Sequence, residues 1–282
     1  MDFTLYHGDC LNEFDHIEDQ SVDAIICDLP YGTTACKWDS IIPLDQLWAQ
    51  YKRVIKPNRP IVLTAAQPFT TILASSNLAW FKYEWIWVKN RPTNFAHAKN
   101  KPMKKHENVL VFSEGTTVHA SQSSDRMPYY PQGLVPIAPK KVTKRGSEKT
   151  DAFFADRKSH GEFVREYTNY PHSILEFPTD NLGLHPTAKP IALMEYLIRT
   201  YTKEGDVVLD NTMGSGTTGV AAANTGRKFI GIERDSKYFE MCSERIANSY
   251  ATAVERLVSG DDPTSASTNA SVLDETFAPV KF

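Results

Sequence analysis

Six short apolar runs punctuate the chain, Val22–Cys27, Ile61–Thr64, Glu84–Val88, Asn108–Phe112, Val207–Leu209 and Phe229–Ile232, each closed by turn-forming or polar residues. Runs of this length predict strands buried on both faces. Between them the periodicity changes. Leu44 to Ile55 repeats at helical spacing and stops at Lys56-Pro57, where proline removes a donor and crowds the preceding turn. Ile191 to Tyr201 puts Ile191, Met194, Leu197, Ile198 and Tyr201 on one face. Strands alternating with helices predict an α/β fold around a parallel sheet. The rhythm fails between residues 113 and 172, where Pro, Gly, Ser, Lys and Arg dominate, so this stretch is expected to be an insertion. Residues 260–282, rich in Ser, Thr, Asp and Ala, are expected to be a tail with little core of its own. The chain therefore divides into 1–112, 113–172, 173–259 and 260–282, and it contains no internal repeat.

With 282 residues, 41% of them hydrophobic, the chain can bury a core without staples, which excludes a disordered segment or a disulfide mini-protein. No stretch approaches the roughly 18 apolar residues of a membrane span. The start, Met1 to His7, lacks a basic region followed by an apolar run, so a soluble, cytoplasmic protein with no membrane partner is expected. Cys10, Cys27, Cys36 and Cys242 form no C-x-x-C pair, and the histidines do not join them at ligand spacing; reduced thiols and no metal are expected. The net charge of -3 hides a partition. Residues 82–165 hold 16 basic and 8 acidic side chains, against 15 and 26 elsewhere, so a basic middle is set between acidic ends. On charge alone this is either a nucleic-acid surface or a solvated face.

Two segments carry candidate chemistry. In Asp206 to Gly219 an apolar strand runs into glycines at 214, 216 and 219, fitting G-x-G-x-x-G, with a helix expected from about Thr217. Fourteen residues on, the strand Phe229–Ile232 ends in Glu233, whose carboxylate could bond both hydroxyls of a ribose. The pair suits an adenosine-containing ligand, because glycine lets the main chain approach closely. Dehydrogenases, flavoproteins and methyltransferases share this pattern, and a tight turn without a ligand would also produce it. A phosphate-binding Walker loop is excluded, since no Gly-Lys-Ser/Thr follows. The second segment is Val22–Cys27 running into Asp28-Leu29-Pro30-Tyr31-Gly32, which sets a carboxylate and an aromatic ring at the carboxyl end of a buried strand, the edge where open α/β sheets bind ligands. Taken alone, Asp-x-Pro-Tyr-Gly also fits an ordinary turn.

Together these residues carry a resemblance. Asp28-Leu29-Pro30-Tyr31 resembles the D-P-P-Y motif of DNA amino-methyltransferases, and Asn211-Thr212-Met213-Gly214-Ser215-Gly216 is similar to their F-x-G-x-G loop. His185-Pro186-Thr187-Ala188-Lys189-Pro190 resembles the H-P-x-x-K-P element that precedes this loop in the β-ordered group, whose motif order the chain shares. The resemblance, running from about Asp9 to Cys242, implies a Rossmann-like methyltransferase fold with helices on both faces of a mostly parallel sheet, and makes 113–172 the target-recognition insertion. It implies transfer of a methyl group from S-adenosylmethionine to the N6 amine of a flipped-out adenine in double-stranded DNA. Asp28 and the carbonyl of Leu29 would accept the amine hydrogens, Pro30 would restrict the backbone, and Tyr31 would stack on the base. For the cofactor it implies Asp9 and the backbone of Cys10 at the adenine, Glu233 at the ribose, His185, Thr187 and Lys189 around the methionine end, and Asp210 with Asp28 facing its amino group. The loop Asn211, Met213, Gly214, Ser215, Gly216 and Thr217 would hold the rest. Gln67 is a further candidate on the same sheet edge. Leu29 departs from the motif's first proline, but a carbonyl is available from any residue.

For DNA, Lys89, Arg91, Lys101, Lys104, Lys105, Lys140, Lys141, Lys144 and Arg145 are the candidate phosphate contacts, with Trp38, beside Asp39, on a segment placed to close over the extruded base. The aromatics Trp80, Phe81, Tyr83, Trp85, Trp87 and Phe95 are expected mostly to build core. A second copy of the chain and a cognate restriction endonuclease are candidate partners. Three rivals stay open: cytosine-N4 methylation on the same scaffold, a nicotinamide-dependent oxidoreductase resting on the glycine turn, and a non-catalytic DNA-binding module. The first is weakened because such enzymes usually carry Ser in place of Asp. The second is weakened because the chain after Glu233 is too short for the rest of a dinucleotide half.

Overall fold

The computed structural model describes residues 2–33, 39–119, 122–143, 162–180 and 188–259. Among these residues ten strands and six α-helices follow one another: β1 Phe3–His7, α1 Cys10–Glu13, β2 Ala24–Asp28, α2 Leu44–Val54, β3 Ile61–Ala65, α3 Phe69–Ser76, β4 Phe81–Thr93, β5 Lys104–Phe112, β6 Val135–Thr143, β7 Glu162–Thr168, β8 Ile174–Glu176, α4 Ile191–Tyr201, β9 Val207–Asp210, α5 Thr217–Asn224, β10 Lys228–Glu233 and α6 Ser236–Ser259. Eight strands form one sheet in the order β1-β10-β9-β2-β3-β5-β4-β8, while β6 and β7 pair only with each other. Within the eight, β5 runs antiparallel to both its neighbours and every other pairing is parallel.

The continuous apolar runs are explained by burial on both faces. Along β2, Ala24 and Ile26 point into a core shared with α4, α5 and α6, while Ile25 and Cys27 point into a second core shared with α1, α2 and α3. Because successive side chains alternate between faces, a strand covered on both sides has no polar position to spare. At the centre, β2 and β9 lie side by side, with Ile25 level with Leu209. From β2 the chain moves outward through α2 to β3, and from β9 it moves the other way through α5 to β10. Strand order therefore reverses between β2 and β9, which opens a crevice at their carboxyl ends.

The expected helices at Leu44 and Ile191 are present, the first ending one residue early at Val54. Strands β4 and β5 extend well beyond the runs Glu84–Val88 and Asn108–Phe112, because their polar ends leave the sheet and pair as an arm. The expected insertion is not all separate from the body. Met127 is buried in the core beside α4, and Tyr130 N–H donates to the Thr200 carbonyl at 2.7 Å. Among the described residues of this stretch, only the ribbon β6–β7 carries its own sheet. Among the described residues, no helix is long and apolar enough to cross a membrane, and no cluster of three His, Cys, Asp or Glu could hold a metal ion.

Candidate active site

The crevice at the switch between β2 and β9 is a cavity of about 1120 Å³. Asp28 ends β2 on one wall and Asp210 ends β9 beside it. Two contacts tie the strand ends together: the Thr212 hydroxyl donates to the Asp28 carbonyl at 3.1 Å, and the Cys27 thiol donates to Asn211 Oδ1 at 3.1 Å. Asn211 is itself buried and also accepts the Tyr51 hydroxyl at 2.6 Å, so its carbonyl braces the wall, while its Nδ2 has no acceptor among the described residues. Burial pushes the Asp210 carboxyl up to about 7, so it holds its proton through the mildly acid range and a nearby cation would favour its ionised form.

The glycine bend forms the second wall. Gly214 and Gly216 both have positive φ, +49° and +78°, conformations in which a side chain is strained. A Cβ on Gly216 would stand 2.9 Å from Cys242 Cβ on α6, whereas one on Gly214 would meet nothing within 4 Å. Gly216 thus serves packing of the bend against α6, and Gly214 faces open space. Glu233, at the end of β10, holds this bend: its carboxylate accepts Gly214 N–H and Asp235 N–H, each at 2.8 Å. Since β1 pairs with β10 so that His7 faces Glu233, and Gly8 N–H donates to the Glu233 carbonyl at 3.1 Å, Asp9 and Cys10 come to the same rim. Asp9 caps α1 through Leu11 N–H at 3.0 Å.

The third wall is built of charges. Asp28 Oδ2 accepts Lys189 Nζ at 2.6 Å, and its Oδ1 accepts the Tyr31 hydroxyl at 2.8 Å and the Thr64 hydroxyl. Lys189 also approaches Glu107 Oε2 at 3.4 Å, and Glu107 Oε1 accepts Lys89. The result is a line of alternating sign, Asp28, Lys189, Glu107, Lys89, in which Lys189 and Glu107 are only 5% and 8% exposed. Burial works against the Lys189 charge, but the two carboxylates outweigh it and hold the ammonium above its ordinary value. Burial likewise opposes the Glu107 charge, yet Lys189 and Lys89 hold its carboxyl down at about 2. Burial, reinforced by Asp28, pushes the Tyr31 hydroxyl well up. The loop after the motif is pinned by Asp39, whose carboxylate accepts Gly32 N–H at 2.8 Å and Thr33 N–H at 2.9 Å. Leu29 packs in the core, 3% exposed, and this anchors the backbone where the family motif has a proline.

Asp9, Cys10, Asp28, Leu29, Pro30, Tyr31, Lys189, Asp210, Asn211, Met213, Gly214, Ser215, Thr217 and Glu233 all line this one cavity, as does Gln67. Gly216 stands behind its wall. Lys189 is engaged by Asp28 and Glu107. Trp38, Lys144, Arg145, His185 and Thr187 lie outside the described residues, as does the Lys141 side chain. Of the basic candidates, Arg91, Lys101, Lys105 and Lys140 are exposed and Lys104 is half-buried, whereas Lys89 turns inward to Glu107 and stacks 5.1 Å from the Trp87 ring centroid. Lys101 and Lys104 line the cavity mouth, and Phe95, at the turn of the β4–β5 arm, is 80% exposed. Glu107 and Thr64 were not among the expected site residues. Glu107 precedes the apolar run of β5, and Thr64 looks like one more core position of β3.

Residues 22–244 match the model of the N6/N4 DNA methylase family. The chain belongs to this family of DNA methylases. Among its relatives is the DNA adenine methyltransferase YhdJ of Escherichia coli (strain K12), 29% identical over 260 residues, which cover 86% of this chain and 82% of YhdJ. Among solved structures, the methylase resembles the M1.HpyAVI–S-adenosylmethionine complex with a TM-score of 0.54 and 25% identity, over 86% of this chain and 99% of that one. It shares its fold with the cytosine-N4-specific PvuII methyltransferase, with a TM-score of 0.59 at 16% identity, over 90% of this chain and 93% of the other.

Proposed function

We propose that this chain transfers a methyl group from S-adenosylmethionine to the N6 amine of adenine in double-stranded DNA. The observation that carries the reading is the meeting of Asp28 and the glycine bend on one cavity, at neighbouring strand ends joined by the Thr212–Asp28 hydrogen bond. The likeness to a named adenine methyltransferase supports the choice of base, as does a carboxylate rather than a hydroxyl at position 28.

The donor set fits the cofactor. Asp210 is a buried acid suited to an ammonium, Glu233 keeps lone pairs for a ribose diol after bonding two backbone N–H groups, and Gly214 leaves room for close approach. When bound, S-adenosylmethionine supplies an electrophilic methyl group on a sulfonium, which becomes a neutral thioether on transfer. The chain's own work is on the amine, whose lone pair is delocalised into the ring. Asp28 accepts a hydrogen bond from one amine hydrogen and the Leu29 carbonyl from the other, which turns the lone pair out of the ring plane; the surplus proton on the methylated nitrogen leaves to Asp28. Holding both partners in this geometry provides the acceleration, with no covalent intermediate. Tyr31 stacks on the base, which leaves the duplex at a cost of a few kcal/mol. Arg91, Lys101, Lys105 and Lys140 neutralise phosphates, and the stretch 113–172 selects the sequence. A second copy of the chain and a cognate endonuclease are the proposed protein partners, and a bacterial cytoplasm the proposed location.

Duplex DNA methylated by the purified protein with isotopically labelled S-adenosylmethionine, then digested to nucleosides, tests the reading. Labelled N6-methyldeoxyadenosine is expected. Labelled N4-methyldeoxycytidine would replace adenine by cytosine, and binding of duplex without transfer would leave only a DNA-binding module.

A further inference from the structure

Three donors crowd the Asp28 carboxylate, whose side chain is 24% exposed. Tyr31 and Thr64 occupy Oδ1 and Lys189 occupies Oδ2. Lys189 also stands over the Tyr31 ring, 5.4 Å from its centroid, while Phe69 stacks on that ring at 5.5 Å. One ammonium therefore occupies both places a target base needs, the carboxylate that takes its amine and the ring that takes its face. For the base to enter, Lys189 has to yield. It is 5% exposed, and a buried ammonium leaving its carboxylate with no other anion to meet would be strongly disfavoured. Glu107 is the second anion, already 3.4 Å away on β5.

We propose that Glu107 is a positioning residue for the transfer step: it draws the Lys189 ammonium off Asp28, freeing that carboxylate for the amine and the Tyr31 ring for the base. The assignment rests on Asp28 being the amine acceptor. Lys89 sets the balance of the exchange. By pairing with the far oxygen of Glu107 it lessens the pull on Lys189, so the ammonium rests on Asp28 until a base competes for the site. The two ends of the charge line thus act in opposite senses. Removing the Glu107 charge locks Lys189 onto Asp28, and removing the Lys89 charge loosens it.

The test compares wild type, Glu107→Gln and Lys89→Met in single-turnover transfer of labelled methyl to duplex DNA at saturating S-adenosylmethionine, with cofactor and duplex affinities measured separately. Glu107→Gln is expected to slow transfer by about 10- to 100-fold, with both affinities within about threefold of wild type. Lys89→Met is expected to transfer faster than wild type, because Lys189 then leaves Asp28 more readily. An unchanged rate in Glu107→Gln, or similar slowing in both variants, would overturn the assignment, because loss of a merely structural contact slows both. If Glu107→Gln fails to unfold cooperatively on heating, Lys89→Met decides alone, and a rate no faster than wild type counts against the proposal. Wild type that transfers no label to any base would refute the methyltransferase reading itself; wild type that labels adenine while the variants break the pattern refutes only the role of Glu107.

Discussion

The two sides of the cleft are made by different means. On the β9–β10 side, backbone does most of the work: two positive-φ glycines, carbonyls, and the Glu233 carboxylate, which holds two N–H groups, with Asp210 at the end of β9. On the β2–β3–β5 side, side chains do it, through four charges of alternating sign and two hydroxyls around Asp28. A backbone wall is fixed before the ligand arrives, which suits a cofactor common to every turnover. A wall of exchangeable ion pairs suits a base that has to displace something to enter. In the first, substitutions act through strain and packing; in the second, they act through charge.

The largest expected effect is on the backbone wall. Gly216→Val adds a β-branched side chain at φ +78°, with its Cβ 2.9 Å from Cys242, and is expected to cost about 4 kcal/mol in chemical denaturation and to weaken S-adenosylmethionine binding. Gly214→Ala, with open space around it, is expected to cost about 1 kcal/mol. Equal costs would mean that packing against α6 is not what Gly216 provides.

Next comes Asp210, where the two walls meet. Burial lifts its carboxyl from 3.8 to about 7, so the folded chain holds a proton that the unfolded chain releases. Stability from this group is therefore full below about pH 4 and falls as the pH rises through 7. Asp210→Asn is expected to be more stable than wild type at pH 8, by up to about 4 kcal/mol, the gap closing toward pH 4. Thermal unfolding of the cofactor-free protein across that range checks it, and a gap independent of pH would remove Asp210 from this account.

The smallest effects lie at the mouth. Lys101→Gln or Lys105→Gln is expected to weaken duplex binding a few-fold and to reduce the salt slope by about one each, whereas Lys89→Met leaves the slope unchanged because its charge is spent on Glu107. A reduced slope in Lys89→Met would put that lysine on DNA after all.

The same contrast separates what the sequence makes legible from what it hides. Strands β2, β3, β9 and β10, helices α2 and α4, and the glycine bend are visible because each is signalled within about a dozen residues. The charge line is not, since its four members come from β2, the approach to α4, β5 and β4, and no local pattern marks them as neighbours. Lys89 shows the cost: a lysine in a basic stretch reads as a phosphate contact, and only the pairing of β4 with β5 reveals its partner. Strand β1 is hidden because it is a half-buried edge strand whose partner β10 lies more than 200 residues away. In α6, Cys242, Ile246 and Tyr250 form a buried stripe at spacing four, diluted by the polar residues around it. The antiparallel course of β5 follows from its tight pairing with β4 as an arm, which its apolar run does not encode.

The most direct measurement is methyl transfer by Asp28→Asn, in single turnover, beside calorimetric titration of S-adenosylmethionine into the same protein. S-adenosylmethionine is expected still to bind, weakened by no more than about tenfold, while the transfer rate falls by about 100-fold or more, since a neutral amide accepts the amine hydrogen far less well than a carboxylate. Transfer at the wild-type rate would contradict Asp28 as the amine acceptor.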